Sequence, residues 1–202
     1  MTRKKGSVPT QTREKLLASA TEEFYEYGFE KASLRRICAK AEVTTGALYF
    51  FFQNKEELFK EVIKPITDFI NEKMEEHFTA ELSSSSQNPI KEENEDIRAG
   101  EEIIDACFTN KMLCDILLGN REHPYVSGFF DGLMEKLDKQ TMLLAKDSSS
   151  NFDHGIVHWF SHLQVEMVIY VISHDYDIIT AKKQISIMIK FLRSGFKSLF
   201  EE

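Results

Sequence analysis

Apolar residues return at helical spacing along most of the chain, and no other feature limits its fold so strongly. Leu58, Val62, Ile66, Ile70, Met74 and Phe78 stand every fourth residue, which predicts a helix of some twenty-odd residues. Leu16, Ala20 and Phe24, with Leu17 and Tyr27, predict an earlier helix over about 12–27, closed by Gly28, a residue suited to a left-handed helix end. Ile185, Met188, Ile189, Leu192, Phe196 and Leu199 form a stripe on a final helix. Nine Gly and four Pro in 202 residues are too few for a loop-rich all-β chain, so the predicted class is all-α.

Two short helices lie between the first two long ones. Ser33 is placed to cap a helix whose apolar face is Leu34, Ile37, Cys38 and Ala41, and Thr44 or Thr45 to cap another over 46–51. Their closeness predicts a helix-turn-helix over about 33–52. Asn54-Lys55-Glu56-Glu57 reads as a capping box, with Asn54 accepting from first-turn amides and Glu57 reaching back. Pro65 inside the following helix predicts a kink near 61–65.

Further on, Ser83 to Pro89 predicts a loop, with the acidic stretch to Asp96 continuing it or opening the next helix. Residues 97–118 predict one helix, or two joined near Asn110, ended by Gly119. Pro124 opens another over about 125–145 through Phe129, Leu133, Leu137 and Leu144, and Ser148 to Asn151 is the next break. From Ile156 to Ile172 apolar residues fall on nearly every side, the pattern of a helix buried on two faces. Together with the last stripe this is more apolar surface than one small bundle needs, and it predicts a homodimer through the last two helices.

The formal net charge of −8 argues at first against a nucleic-acid partner. Residues 1–60, however, hold 11 Lys and Arg against 8 Asp and Glu, whereas 61–202 hold 14 against 25. A basic head at +3 precedes a body at −11, so the predicted domains are 1–60 and 61–202, with only the head facing phosphate.

The spacing Phe24-x-x-x-Gly28-Phe29-Glu30-x-x-Ser33-Leu34-Arg35-x-Ile37-x-x-x-Ala41-x-Val43-Thr44-x-Gly46-x-Leu48-Tyr49-x-x-Phe52-x-Asn54-Lys55-x-x-Leu58 resembles the DNA-binding head of the tetracycline-repressor (TetR) family. The resemblance covers about the first 60 residues. It implies a three-helix helix-turn-helix domain followed by a helical ligand-binding and dimerising bundle. It implies in turn a dimer on a near-palindromic double-stranded DNA operator, repressing until a small-molecule effector releases it. A ligand-independent dimeric DNA-binding or architectural protein is the alternative.

The residue chemistry suits DNA. Thr44 and Thr45 offer hydroxyls, Gly46 permits close backbone approach, and Ala47 is small enough to lie on a thymine methyl. Tyr49 can donate to phosphate, Phe50 can press on a thymine methyl or a sugar, and Lys55 can clamp a phosphate. Ser33, Arg35 and Arg36 on the preceding helix, and Arg3, Lys4 and Lys5 in the arm, add to the set. Ile37, Val43 and Leu48 are assigned to the core. Two positions depart from the family pattern: Glu42 stands where Gly is usual in the turn, and Phe50-Phe51 where a Tyr-His pair is usual, which removes a habitual phosphate donor.

Other constellations are weaker. Cys38, Cys107 and Cys114 have neither disulfide nor zinc spacing and fit a reducing cytoplasm as buried thiols. No run reaches the roughly 20 consecutive apolar residues of a membrane span, because His158, Ser161, His162, Gln164 and Glu166 interrupt the richest one. His154, His158 and His162 recur at steps of four, as metal ligands or as interface or pocket histidines; no metal or cofactor is assigned. Phe108, Met112, Phe130, Met134, Trp159, Phe160 and Met167 are candidates to line an effector pocket, with Glu166 as its acid or as a cross-subunit partner. No phosphate loop, nucleophile elbow or zinc-protease helix is present, and no enzyme is predicted.

Overall fold

A computed structural model of the protein describes residues 7–83, 89–145 and 153–198. Regular structure among them is helical throughout: α1 (Ser7–Lys31), α2 (Leu34–Lys40), α3 (Thr45–Phe51), α4 (Lys55–Ser83), α5 (Pro89–Thr109), α6 (Lys111–Gly119), α7 (Pro124–Ala145), α8 (His154–Ser173) and α9 (Ile178–Ser198). The all-α class follows as predicted. Arg3, Lys4, Lys5, Leu199, the side chain of Leu144, and the breaks expected over 84–88 and 148–151 lie outside the described residues.

Packing divides the chain into two units. Residues through Thr67 join Asn110–Val126 in the first, and Asp68–Thr109 joins the chain from Ser127 onward in the second. This division differs from the boundary expected at 60/61, because α6 packs on α1. The first unit buries Leu16, Ala20 and Phe24 of α1, Ile37 of α2, Leu48 of α3, and Leu58 and Phe59 of α4. Phe59 meets Phe24 edge-on at 5.1 Å and Phe29 at 5.0 Å between ring centroids. Each such side chain contributes about 1.5–3 kcal/mol by leaving water, which is what holds three short helical segments together.

The apolar run of α1 stops at Gly28, as expected, but not in the left-handed helical conformation. Its φ of 68° and ψ of 172° put it in a region essentially reserved for glycine. The chain turns a corner there before a last turn to Lys31. Asn120, the C-cap of α6, braces the corner: its Oδ1 accepts the Phe29 N–H at 2.9 Å, while its Nδ2 donates to the Ile116 carbonyl at 2.6 Å.

In the second unit Ile104 of α5, Val171 of α8, and Ala181, Ile185 and Ile189 of α9 form a core, with Phe108, Met167 and Met188 packed on it. Gly100 permits this approach, since a Cβ there would stand 2.6 Å from Ile189 Cδ1. The acidic stretch before Asp96 is helical and opens α5, and Asn110 separates α5 from α6. α4 continues through Pro65, the residue at which a kink is expected, as one helix from Lys55 to Ser83.

α8 departs from the expectation of burial on two faces. Within one chain Val157, Ser161 and Val171 are buried, whereas Ile156, Trp159 (60% exposed) and Tyr170 face outward. On α9, Ile187 and Phe191 (75% exposed) do the same. By length and composition alone α8 is apolar enough to cross a bilayer, although its exposed side chains include His158, His162 and Glu166.

Candidate nucleic-acid interface

α2 and α3 are joined by a tight turn. The Ala41 N–H donates to Ile37 O at 2.9 Å and the Val43 N–H to Cys38 O at 3.0 Å. Closing it requires a positive φ at Glu42, 57°. This is the position where glycine is usual, and a side chain there costs about 1–2 kcal/mol. Thr44 then caps α3, its Oγ1 accepting the Ala47 N–H at 3.1 Å. The hydroxyl hydrogen of Thr44 stays available, but its oxygen is committed to the helix.

α3 turns Leu48 fully inward and leaves Thr45, Gly46, Tyr49 and Phe50 exposed, with Ala47 half-buried between them. Tyr49 is 56% and Phe50 78% exposed. Phe51, in place of the usual histidine, stands perpendicular to Phe50 with centroids 5.0 Å apart. Ile37 is buried and Val43 half-buried, in keeping with their core assignment.

Several basic residues are engaged within the unit. Arg36 donates from Nε to Glu23 Oε1 at 2.8 Å, pairs through Nη2 with the same oxygen, and lies 4.3 Å from the Tyr27 ring. Lys40 pairs with Glu22, and Arg13 with Glu61. Ser33 begins α2 with an extended backbone but makes no side-chain cap; its N–H donates to Glu23 Oε1 at 2.8 Å. Arg35 is exposed.

Lys55 differs most from its expected role. Its ammonium donates to the carbonyls of Phe29 at 2.7 Å, Glu30 at 3.1 Å and Ala32 at 3.5 Å. It stands over the Phe29 ring at 4.5 Å. It thus satisfies the carbonyl end of α1, where a cation is favoured. The capping box is present with a shift: Asn54 Oδ1 accepts the Glu57 N–H at 2.8 Å, and Glu57 reaches back to the Gln53 N–H at 2.5 Å.

Glu23 is the residue sequence reasoning missed. It is buried beside Phe24 and ties α1 to α2. A carboxylate on the apolar face between Ala20 and Phe24 was the available signal.

The eight predicted effector residues occupy different surroundings. Phe108 and Met167 pack on the α5–α8–α9 core, Phe130 is buried, and Met134 is half-buried. Phe160 stacks on Phe196 at 4.3 Å. Met112 belongs to the first unit, and Trp159 and Glu166 are exposed. A cleft of about 530 Å³ lies between α4 and α5, lined by polar residues including Lys73, His77, Glu81, Asp96, Arg98 and Glu102. None of the eight candidates lines it.

In this cleft His77 Nε2 lies 3.2 Å from Asp96 Oδ1, Arg193 pairs with Asp96 and Glu92, and Gln140 donates to Glu81. The hydrogen bond that His77 donates to Asp96 raises the pKa of His77, and burial raises that of Glu81. Of the three spaced histidines, His158 binds Asp138 Oδ2 through Nδ1 at 2.8 Å and meets His162 edge-on at 4.7 Å. Among the described residues no group of three or more His, Cys, Asp or Glu is arranged to hold a metal.

Residues 16–62 match the family described as "Bacterial regulatory proteins, tetR family". The "Probable acrEF/envCD operon repressor" of Escherichia coli (strain K12) is 34% identical over 82 residues, 41% of this chain and 37% of that one. The "HTH-type transcriptional repressor BepR" of Brucella suis biovar 1 is 40% identical over 53 residues, 26% of this chain and 25% of that one. The matched region therefore spans only 25–37% of these relatives' length.

Among solved structures, a transcriptional regulator (TerR/AcrR family) from Aquifex aeolicus VF5 superposes with a TM-score of 0.62 at 21% identity, covering 94% of this chain and 99% of that one. A TetR-like transcriptional regulator from Rhodococcus sp. RHA1 does so at 0.67 and 17%, covering 91% and 96%. The fold is shared along nearly the whole chain, and the sequence pattern along its first third. The turn that demands a positive φ, the capped α3 and its outward face lie within the matched segment, so residues 16–62 are similar to the tetR family of bacterial regulatory proteins.

Proposed function

We propose that the chain is a transcription regulator, a repressor that binds a near-palindromic operator as a homodimer and is released by a small-molecule effector. The observation that carries the DNA reading is α3, which exposes Thr45, Gly46, Tyr49 and Phe50 while Leu48 anchors its other side. Thr44, Thr45 and Tyr49 supply hydroxyls, Gly46 and Ala47 close approach, and Arg35 a phosphate contact. Ser33 and Lys55 serve by holding the helices in place.

The exposed apolar side chains of α8 and α9, Trp159 and Phe191 foremost, support pairing with a second copy. Glu166, at helical spacing between Trp159 and Tyr170, belongs to that seam and not to a pocket. The repressing sense is supported by the printed names of the E. coli and Brucella relatives. The burial of Cys38, Cys107 and Cys114 suits work in the cytoplasm.

Selection of bound duplexes from a random pool, with footprinting, tests this reading. The expected product is an inverted repeat with half-sites about one helical turn apart, bound by a dimer in sedimentation. Failure to enrich any sequence would end it. Thermal-shift screening against metabolites and drugs tests the effector, since a ligand raises the melting temperature by mass action. No hit across a broad library, with DNA binding intact, would favour the ligand-independent alternative.

A further inference from the structure

From Thr45 to Phe51, α3 contains no Arg, Lys, Asn, Gln, Asp or Glu, the long or charged side chains that read base edges through hydrogen bonds in the major groove, and only the short hydroxyl of Thr45 and the phenol of Tyr49 remain for such bonds. What it exposes is two hydroxyls, a glycine backbone and a phenyl ring. Phe50 is the most exposed of its large side chains, at 78%, and the perpendicular ring of Phe51 buttresses it from one side. Ala47, one helical turn earlier, adds a small apolar surface on the same side.

A phenyl group neither donates nor accepts a conventional hydrogen bond at a base edge. Among the four base pairs the major groove offers it one apolar group, the C5 methyl of thymine. We propose that Phe50 is the specificity-determining residue of α3, and that it reads the 5-methyl groups of pyrimidines in the major groove. The proposal rests on the DNA-binding reading above. Because the methyl and not the base is recognised, 5-methylcytosine substitutes for thymine in providing the contact.

The test uses the full-length protein and a site selected from random duplexes. Thymines in each half-site are replaced one at a time by deoxyuridine, which removes the methyl and leaves pairing intact. Burying one such carbon is worth about 0.8 kcal/mol, so one or two replacements should each weaken binding about fourfold. Phe50→Ala should lose that sensitivity at the same positions, and Phe50→Leu, which stays apolar, should keep part of it. At those positions 5-methylcytosine opposite guanine should bind more tightly than cytosine.

Wild-type binding indifferent to every deoxyuridine would overturn the proposal. So would sensitivity that persists undiminished in Phe50→Ala, because another residue would then read the methyl. If no site is selected at all, the DNA-binding reading itself falls, which is recognisable before any base is replaced. Phe50 packs little of its surface in the chain, so both variants should melt with the wild type.

Discussion

Glu23 of α1 receives Arg36 of α2 on a single carboxylate oxygen, and the same oxygen takes the Ser33 N–H that opens α2. Glu23 is buried while Arg36 is half-exposed, so the carboxylate orients the helix more than the ion pair stabilises it. Glu23→Ala should cost about 2 kcal/mol, the range of hydrogen bonds to a charged group, and urea denaturation should show it. Glu23→Gln retains an acceptor oxygen and should cost less. Equal losses would mean that the charge matters and the amide contact does not.

Glu42 holds a positive φ with a side chain attached. Glu42→Gly should therefore raise stability by about 1 kcal/mol, visible as a higher denaturation midpoint at unchanged m-value. A drop in midpoint would show that unfolded-chain entropy outweighs the relieved strain.

Lys55 and Arg35 should separate by salt dependence. With its donors on the carbonyls of Phe29, Glu30 and Ala32, Lys55→Met should lower stability by about 1 kcal/mol and leave the salt slope of DNA binding unchanged. Arg35→Ala should leave stability unchanged and reduce the slope by about 0.9. The reverse pattern would return Lys55 to phosphate.

Gly46 has room for a side chain within the protein: a Cβ there would meet only Thr44 Oγ1, at 3.7 Å. Alanine is also the better helix former, by about 0.8–1 kcal/mol. Gly46→Ala should thus melt no lower than the wild type yet bind selected DNA more weakly, because the added methyl stands where the groove approaches the backbone. Undiminished affinity would show that nothing comes that close.

His77 makes the second unit sensitive to pH. Asp96 and Glu95 of α5, Glu81 one turn along α4, and Arg193 of α9, paired with Asp96, form its charged surroundings. Its folded pKa lies above the ordinary 6.5, so its contribution is complete below that pH and is lost as pH rises through the folded value. The raised pKa of Glu81 acts in the same direction from about pH 4.5 upward. Melting temperature should fall as pH rises above 6.5, and His77→Gln should flatten that part of the profile. A profile unchanged by the substitution would remove His77 from the linkage.

Local chemistry was legible in the sequence. The repeat of Leu58, Val62, Ile66 and Met74 marked α4, Gly28 and Gly119 marked helix ends, and Thr44 and Asn54 marked helix starts. These depend on neighbours within four residues. The head motif was legible for the same reason, since its turn, caps and core spacing all fall within some forty residues.

The surroundings of single apolar side chains were not legible, because aromatic and methionine side chains look alike whether they fill a core, as Phe108 and Met167 do, or face outward, as Trp159 does. Periodicity likewise showed that α8 is apolar on nearly every side but not how much of it one chain covers. By itself, then, the sequence determined the helices, their caps and the reading head, because those rest on short-range spacing and backbone hydrogen bonding. Only the tertiary structure decided that Lys55 closes α1, that Glu23 anchors Arg36, and that α6 packs with the head, because each is a contact between residues whose separation in sequence carries no periodic signal.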